Sequence, residues 1–266
     1  MPEPADRAML RTHGLTKRFG GFHALNDLYF EVRQGDIHSV IGPNGAGKTT
    51  LFNLLSGTLE PDAGEIVFED RTLGRLKSNG RTMLGIARTF QNIRLFGQMT
   101  VIENVMLGRH GRTFPSLWAS FWKMLAHPPF VEAGDERRMR ARSRELLDFV
   151  GLADKEAALA ADLAYGERRL LELARALATE PRLLLLDEPA AGMNPQETED
   201  LDGLIRRIRD NGVTIILVEH DMNLVMAISD RVTVLNFGEK IAEGLPGEVQ
   251  NDRAVIEAYL GEEETL

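Results

Sequence analysis

The sequence predicts an α/β fold with a mainly parallel sheet, a β-rich first part and a helical segment inserted in the middle. Three observations predict it. Short apolar runs, Ile37–Ile41, Leu183–Leu186, Thr214–Val218 and Arg231–Leu235, have the length and composition of buried strands. Helical patterns separate them, as parallel pairing requires. The stretch from about Asn92 to Glu180 has a helical period and no strand pattern.

In chain order, Ala24–Val32 alternates partly and Ile37–Ile41 follows Gly35, so the first part reads as strands. Gly42–Thr49 is a glycine-rich turn, and Thr49–Ser56 reads as a helix ended by Gly57. Ile66–Phe68 and Ile86–Phe90 read as further strands. Phe114, Leu117, Trp118, Phe121, Trp122 and Leu125 recur at helical spacing, so an extra helix is expected over about 112–127, broken by His127-Pro128-Pro129. Its aromatic face reads as a core face, a protein contact or a shallow contact with lipid headgroups. A helix is expected over Glu132–Val150, and another that follows Gly166 and runs to Thr179 before Pro181. Asn194-Pro195 has the form of a cap followed by proline at the first helical position, opening a helix that runs to Asn211-Gly212.

Composition excludes several classes. There is no cysteine, hence no disulfide framework, thiolate metal site or cysteine nucleophile, which fits a reducing cytosol. No apolar run approaches ~18 residues, so no membrane span is expected, and the N-terminus lacks the apolar core of a signal peptide. A net charge of −9 argues against a nucleic-acid-binding surface. From Arg109 to Val150, eight Lys/Arg face five Asp/Glu. This local basic balance reads as a docking surface or as a solvated helix face.

Gly42, Pro43, Asn44, Gly45, Ala46, Gly47, Lys48 and Thr49 form G-x-x-x-x-G-K-[ST] between a predicted strand and a predicted helix, with Thr50 following. Glycines let backbone N–H groups curl around phosphates, and the helix points its positive end at them. Lys48 neutralises phosphate charge, and the Thr49 hydroxyl suits Mg²⁺. Leu183–Leu186 delivers Asp187 and Glu188 to the carboxyl edge of the sheet, where ligands sit in open α/β folds. There Asp187 would hold Mg²⁺ through water and Glu188 would polarise an attacking water.

Leu163-Ala164-Tyr165-Gly166-Glu167 then stands just before a helix and upstream of the carboxylate strand. With the two motifs above, it resembles the signature of the ABC ATPases, usually written LSGGQ. The resemblance covers nearly the whole chain. It implies a P-loop NTPase core over 1–91 and 181–266 with an N-terminal antiparallel β part, and an inserted helical signature subdomain over 92–180. It also implies Mg-ATP hydrolysis between two such subunits, with the signature reaching the γ-phosphate held by the opposite one. Ala164 lacks the hydroxyl of the family's serine, and Tyr165 replaces a glycine. The helix N-terminus remains for the phosphate contact.

By the same resemblance, Gln91 senses Mg²⁺ and the membrane partner, and His220 contacts the γ-phosphate. Phe19 stacks on adenine, with a core phenylalanine as the other reading. Asn194 ends the D-loop, where aspartate is usual, and doubles as a helix cap. Within the family, Arg88–Phe96, Met99–Asn104, the LAYGE segment, the extra helix and Val255–Gly261 resemble the larger ATPase of branched-chain amino-acid importers. A urea or amide importer and the lipopolysaccharide-export ATPase share many of these features, and a non-transport ABC ATPase is the remote alternative. The resemblance implies permease subunits as partners, a homodimer or a heterodimer with a related ATPase, an indirect solute-binding protein, and a peripheral place on the cytoplasmic face of the bacterial inner membrane.

Overall fold

The computed structural model describes residues 7–89, 93–113 and 133–263. Gln91 and the aromatic face at 114–125 lie outside the described residues, so the expected extra helix is not described beyond 113. Residues 112 and 113, its expected start, belong to the helix Val101–Thr113.

The first layer is an antiparallel sheet of β1 (Ala8–Phe19), β2 (Phe22–Arg33), β4 (Ala63–Phe68) and β5 (Arg71–Thr72), in the order β2-β1-β4-β5. In β2, Leu28, Phe30 and Val32 are buried, whereas Tyr29 and Glu31 are exposed, so a period of two turns one face inward.

The second sheet holds β3 (Ile37–Ile41), β6 (Ile86–Arg88), β7 (Leu183–Asp187), β8 (Thr214–Val218), β9 (Arg231–Asn236) and β10 (Glu239–Gly244), ordered β10-β9-β3-β8-β7-β6. All its pairings are parallel except the β9–β10 hairpin. Every residue of β3, β7 and β8 is buried, which explains their unbroken apolar runs. Alternate residues feed two different cores. Val40, Leu183, Leu185, Ile216 and Val218 pack with Phe30, Phe52 and Phe68 between the two sheets. Ile37, Leu184, Leu186, Ile215 and Leu217 pack toward the helices on the other face.

The helices are α1 (Lys48–Leu55), α2 (Ser78–Met83), α3 (Val101–Thr113), α4 (Ala133–Phe149), α5 (Tyr165–Leu177), α6 (Pro195–Asp210), α7 (Met222–Ile228), α8 (Pro246–Gln250) and α9 (Arg253–Glu263). Several expected boundaries move. The strand expected over 86–90 is described as Ile86–Arg88, and among the described residues its ladder with β7 runs from Leu183 to Leu185. The helix expected after Gly166 already begins before it, at Tyr165, and ends at Leu177. The capping of α6 follows the expectation in full. Asn194 Oδ1 accepts from Glu197 N at 3.0 Å, Glu197 Oε2 accepts from Asn194 N at 2.8 Å, and Pro195 follows. No described helix is long and apolar enough to cross a membrane.

Candidate active site

Three strands bring the site together. In the ladder, Val218 stands opposite Val40 on one side and Asp187 on the other. The carboxyl ends of β3, β8 and β7 are therefore level. The residues that follow, the glycine-rich turn, Glu219-His220 and Glu188, emerge on one edge of the sheet.

The turn is built for close approach. Gly42, Gly45 and Gly47 have φ of 147°, 77° and 106°. A Cβ at Gly42 would lie 2.0 Å from the Leu235 carbonyl oxygen, and one at Gly47 would lie 2.5 Å from that of Ala24. Gly47 also caps α1 without a side-chain bond, and the first turn of α1 has no acid. Its N–H groups and positive end therefore face an anion. Lys48 is buried, and its Nζ donates to the Gly42 and Pro43 carbonyls, the latter at 2.8 Å. A cavity of about 390 Å³ opens here. It is lined by Asn44, Gly45, Ala46, Gly47, Lys48, Thr49 and Thr50, by Glu188 and His220, and by Phe19, Phe22 and Ala24. Phe19 is 50% exposed, so it is not a core side chain. Phe22, which sequence reasoning passed over, stands with it across the Gly20-Gly21 turn of the β1–β2 hairpin. The paired aromatics around that turn were the available signal.

Glu188 leaves β7 with φ 47°, a left-handed conformation unusual for glutamate. Its N–H bonds the Val218 carbonyl at 2.9 Å, and its Oε1 lies 3.0 Å from His220 Nε2. Glu219 is buried beneath them and had no local signal beyond its place beside His220. Its carboxylate accepts from Ala190 N at 2.8 Å and His220 N at 3.0 Å, tying the two loops together. Burial pushes its pKa up, against the pull of those backbone donors. Asp187 is 3% exposed and sits behind the cavity, where Arg88 Nη2 pairs with its Oδ2 at 2.7 Å.

The signature residues are not in this cavity. Gly166 and Glu167 line another one with Met193, Glu197 and the end of α4. Ala164 is the N-cap of α5 and offers no oxygen, while Glu167 Oε2 accepts from Ala164 N at 2.9 Å. Glu167 also pairs with Lys155, and these contacts hold its carboxyl below the usual range. Tyr165 takes up the room that Gly192 leaves: a Cβ on Gly192 would lie 2.9 Å from Tyr165 Cε1. Gly166 is equally confined, with Glu197 Oε1 2.7 Å from where a Cβ would stand. Behind Tyr165, Arg169 Nη2 donates to the phenol oxygen at 3.1 Å and Arg169 Nη1 pairs with the buried Glu172 at 3.5 Å. One chain thus packs its signature turn against its own Ala191–Asn194 loop, away from its own phosphate turn.

A family described as "ABC transporter" matches residues 25–191, from β2 through the signature and β7 to the loop beyond Glu188. The chain belongs to that family. A second one, "Branched-chain amino acid ATP-binding cassette transporter", matches residues 239–265. The chain is 46% identical over 255 residues to the high-affinity branched-chain amino acid transport ATP-binding protein LivG of Salmonella typhimurium, covering 96% of this chain and 98% of that protein. It is 43% identical over 257 residues to BraF of Pseudomonas aeruginosa, covering 96% and 99%. A nucleotide-free ATP-binding cassette from an ABC transporter superposes with a TM-score of 0.83 at 32% identity, covering 95% of this chain and 99% of that one. The ADP conformation of such a cassette gives 0.82 at 32% identity, covering 96% and 99%.

Like other members of the family, the chain binds and hydrolyses ATP. The cavity sets the N–H groups of the Gly42–Thr49 turn and Lys48, chemistry that suits phosphates, beside the half-exposed Phe19 and Phe22, whose rings would offer a flat base a stacking face. Thr49 and Asp187 are all-oxygen donors, the chemistry that suits a hard divalent cation. Among the described residues no cluster of three or more His, Asp or Glu forms a metal cage. Such a cation would therefore complete its shell from water and phosphate oxygens.

Proposed function

We propose that this chain is the ATP-hydrolysing subunit of an importer for branched-chain amino acids. The observation that carries the reading is the identity of 43–46% to LivG and BraF over nearly the full length of both chains. The features shared with urea, amide and lipopolysaccharide systems are outweighed by that full-length identity.

In this reading Mg²⁺ accompanies ATP, held by Thr49 and Asp187 and watched by Gln91. Glu188 polarises the attacking water, and His220, 3.0 Å from it, orients the carboxylate and meets the γ-phosphate. Two subunits, identical or related, close around ATP so that Leu163–Glu167 of each faces the phosphates of the other. The separation of the signature from the phosphate cavity within one chain supports that composite site. The helical part, 92–180, moves against the core, 1–91 and 181–266, and transmits the cycle to permease subunits in the inner membrane. The ATPase sits peripherally on their cytoplasmic face, and a solute-binding protein delivers the amino acid from the other side.

The test is reconstitution with the permeases and binding protein of the same gene cluster in proteoliposomes. ATP-driven uptake of leucine, isoleucine or valine is expected. Uptake of urea, with none of those three, would overturn the substrate assignment.

A further inference from the structure

From the root of the Gln91 segment, Arg88 reaches both the phosphate-loop helix and the carboxylate strand. It ends β6, three residues before Gln91. Its Nη2 pairs with Asp187 Oδ2 at 2.7 Å, and both side chains are less than a tenth exposed. Its Nη1 donates to Asn53 Oδ1 at 2.7 Å in α1 and to Oγ of Ser56, the C-cap of α1, at 3.1 Å. The guanidinium lies 5.6 Å from the centre of the Phe52 ring. Lysine could not reproduce this arrangement, because only a planar fork serves a carboxylate and two neutral oxygens in different directions. On its other side Arg88 lines a cleft with Thr82, Ala87, Leu107, Gly108 and Glu172, between β6, α3 and α5.

A buried carboxylate needs a partner, and one left alone is strongly destabilising. A divalent cation needs the same carboxylate. We infer that Arg88 is a positioning residue: it is the built-in counter-cation of Asp187, and a metal ion arriving with nucleotide competes with it for that carboxylate. Loosening the pair frees the guanidinium at the root of the Gln91 segment, so the charge state of the metal site is felt where β6 leaves the sheet. The inference rests on Asp187 as a metal ligand, part of the reading above.

The experiment is a thermal melt of the full chain at saturating ATP, first with EDTA and then with excess Mg²⁺, for wild type, Arg88→Gln and Arg88→Lys. Arg88→Gln removes the competitor and leaves Asp187 uncompensated until metal binds. It should melt lower than wild type in EDTA, and its rise on adding Mg²⁺ should exceed the wild-type rise by about 3 °C or more. The Mg²⁺ concentration for half-maximal hydrolysis should also fall. Arg88→Lys keeps the charge and should fall between the two. A purely structural Arg88 would lower both melts equally and leave the Mg²⁺ increment unchanged, which overturns the inference. Should Arg88→Gln fail to fold, Arg88→Lys carries the test by the same increment. A wild type with no Mg²⁺ increment would instead remove Asp187 as a metal ligand, and the inference with it.

Discussion

Two helix N-termini in this molecule carry the phosphate-turn and signature motifs, and they are built differently. The first turn of α1 has no acid, a glycine cap without a side chain and the buried Lys48. That is a finished anion site in one chain: donors, dipole and counter-charge together. The first turn of α5 carries Glu167, folded back onto the Ala164 N–H and held by Lys155. Its carboxylate lies over its own donors, and the packing sets Tyr165 against Gly192 and Gly166 against Glu197. In the composite site proposed above, the difference means that the α1 end would bind and the α5 end would complete. A phosphate on α1 would bring the affinity, and α5 of the opposite subunit would add geometry.

The comparison breaks most visibly at Glu188. If α1 binds and the edge acids act, Glu188→Gln should keep ATP affinity while hydrolysis falls by ~10²-fold or more. ATP should then hold two subunits together, seen by sedimentation. Wild-type turnover in that variant would end the assignment.

Beneath the phosphate turn, β3 carries a buried titrating group. His38 is fully buried, bonded to Thr233 Oγ1 at 2.8 Å, and burial lowers its pKa to about 4. The folded chain therefore holds His38 neutral, while the unfolded chain protonates near 6.5. Below that pH the unfolded state binds more protons, so stability falls as pH drops from 6.5 toward 4. The loss from this residue is about 2 kcal/mol by pH 5 and about 3 kcal/mol near pH 4. Urea unfolding of wild type and His38→Gln at pH 7 and 5 should show a smaller acid loss in the variant. Equal losses would acquit His38.

Lys48→Ala removes the counter-charge from the finished site and should weaken ATP binding by ~10–100-fold, the scale of a charge-assisted bond to phosphate. Titration with a fluorescent ATP analogue checks it. Changing the α5 end should spare that affinity: Gly166→Ala, which sets a methyl group 2.7 Å from Glu197 Oε1, should lower hydrolysis but leave single-subunit binding unchanged. Weaker binding in Gly166→Ala would show that the two ends are not separable.

The smallest effect sharpens the contrast. Ala164→Ser restores an N-cap oxygen to α5, which is otherwise closed only by Glu167. It should stabilise the chain by roughly 1 kcal/mol or less in thermal unfolding. No gain would mean that the N3 amide already has a partner.

By itself the sequence determined what depends on near neighbours. The apolar runs of β3, β7 and β8 announce strands buried on both faces, the glycines and Lys48 announce a phosphate turn, and Asn194-Pro195 announces the cap of α6. Each is a relation within a few residues, set by backbone sterics and local hydrogen bonds. Where two strands end level cannot be read that way. Val218 facing both Val40 and Asp187 follows from sheet register, which the packing of two cores decides. The same holds for Arg88 on Asp187, Glu219 under His220 and Tyr165 in the space left by Gly192. Their residue types are ordinary where they stand in the chain. Only the fold brings them within bonding distance, because a buried charge or ring takes whichever partner long-range packing puts beside it.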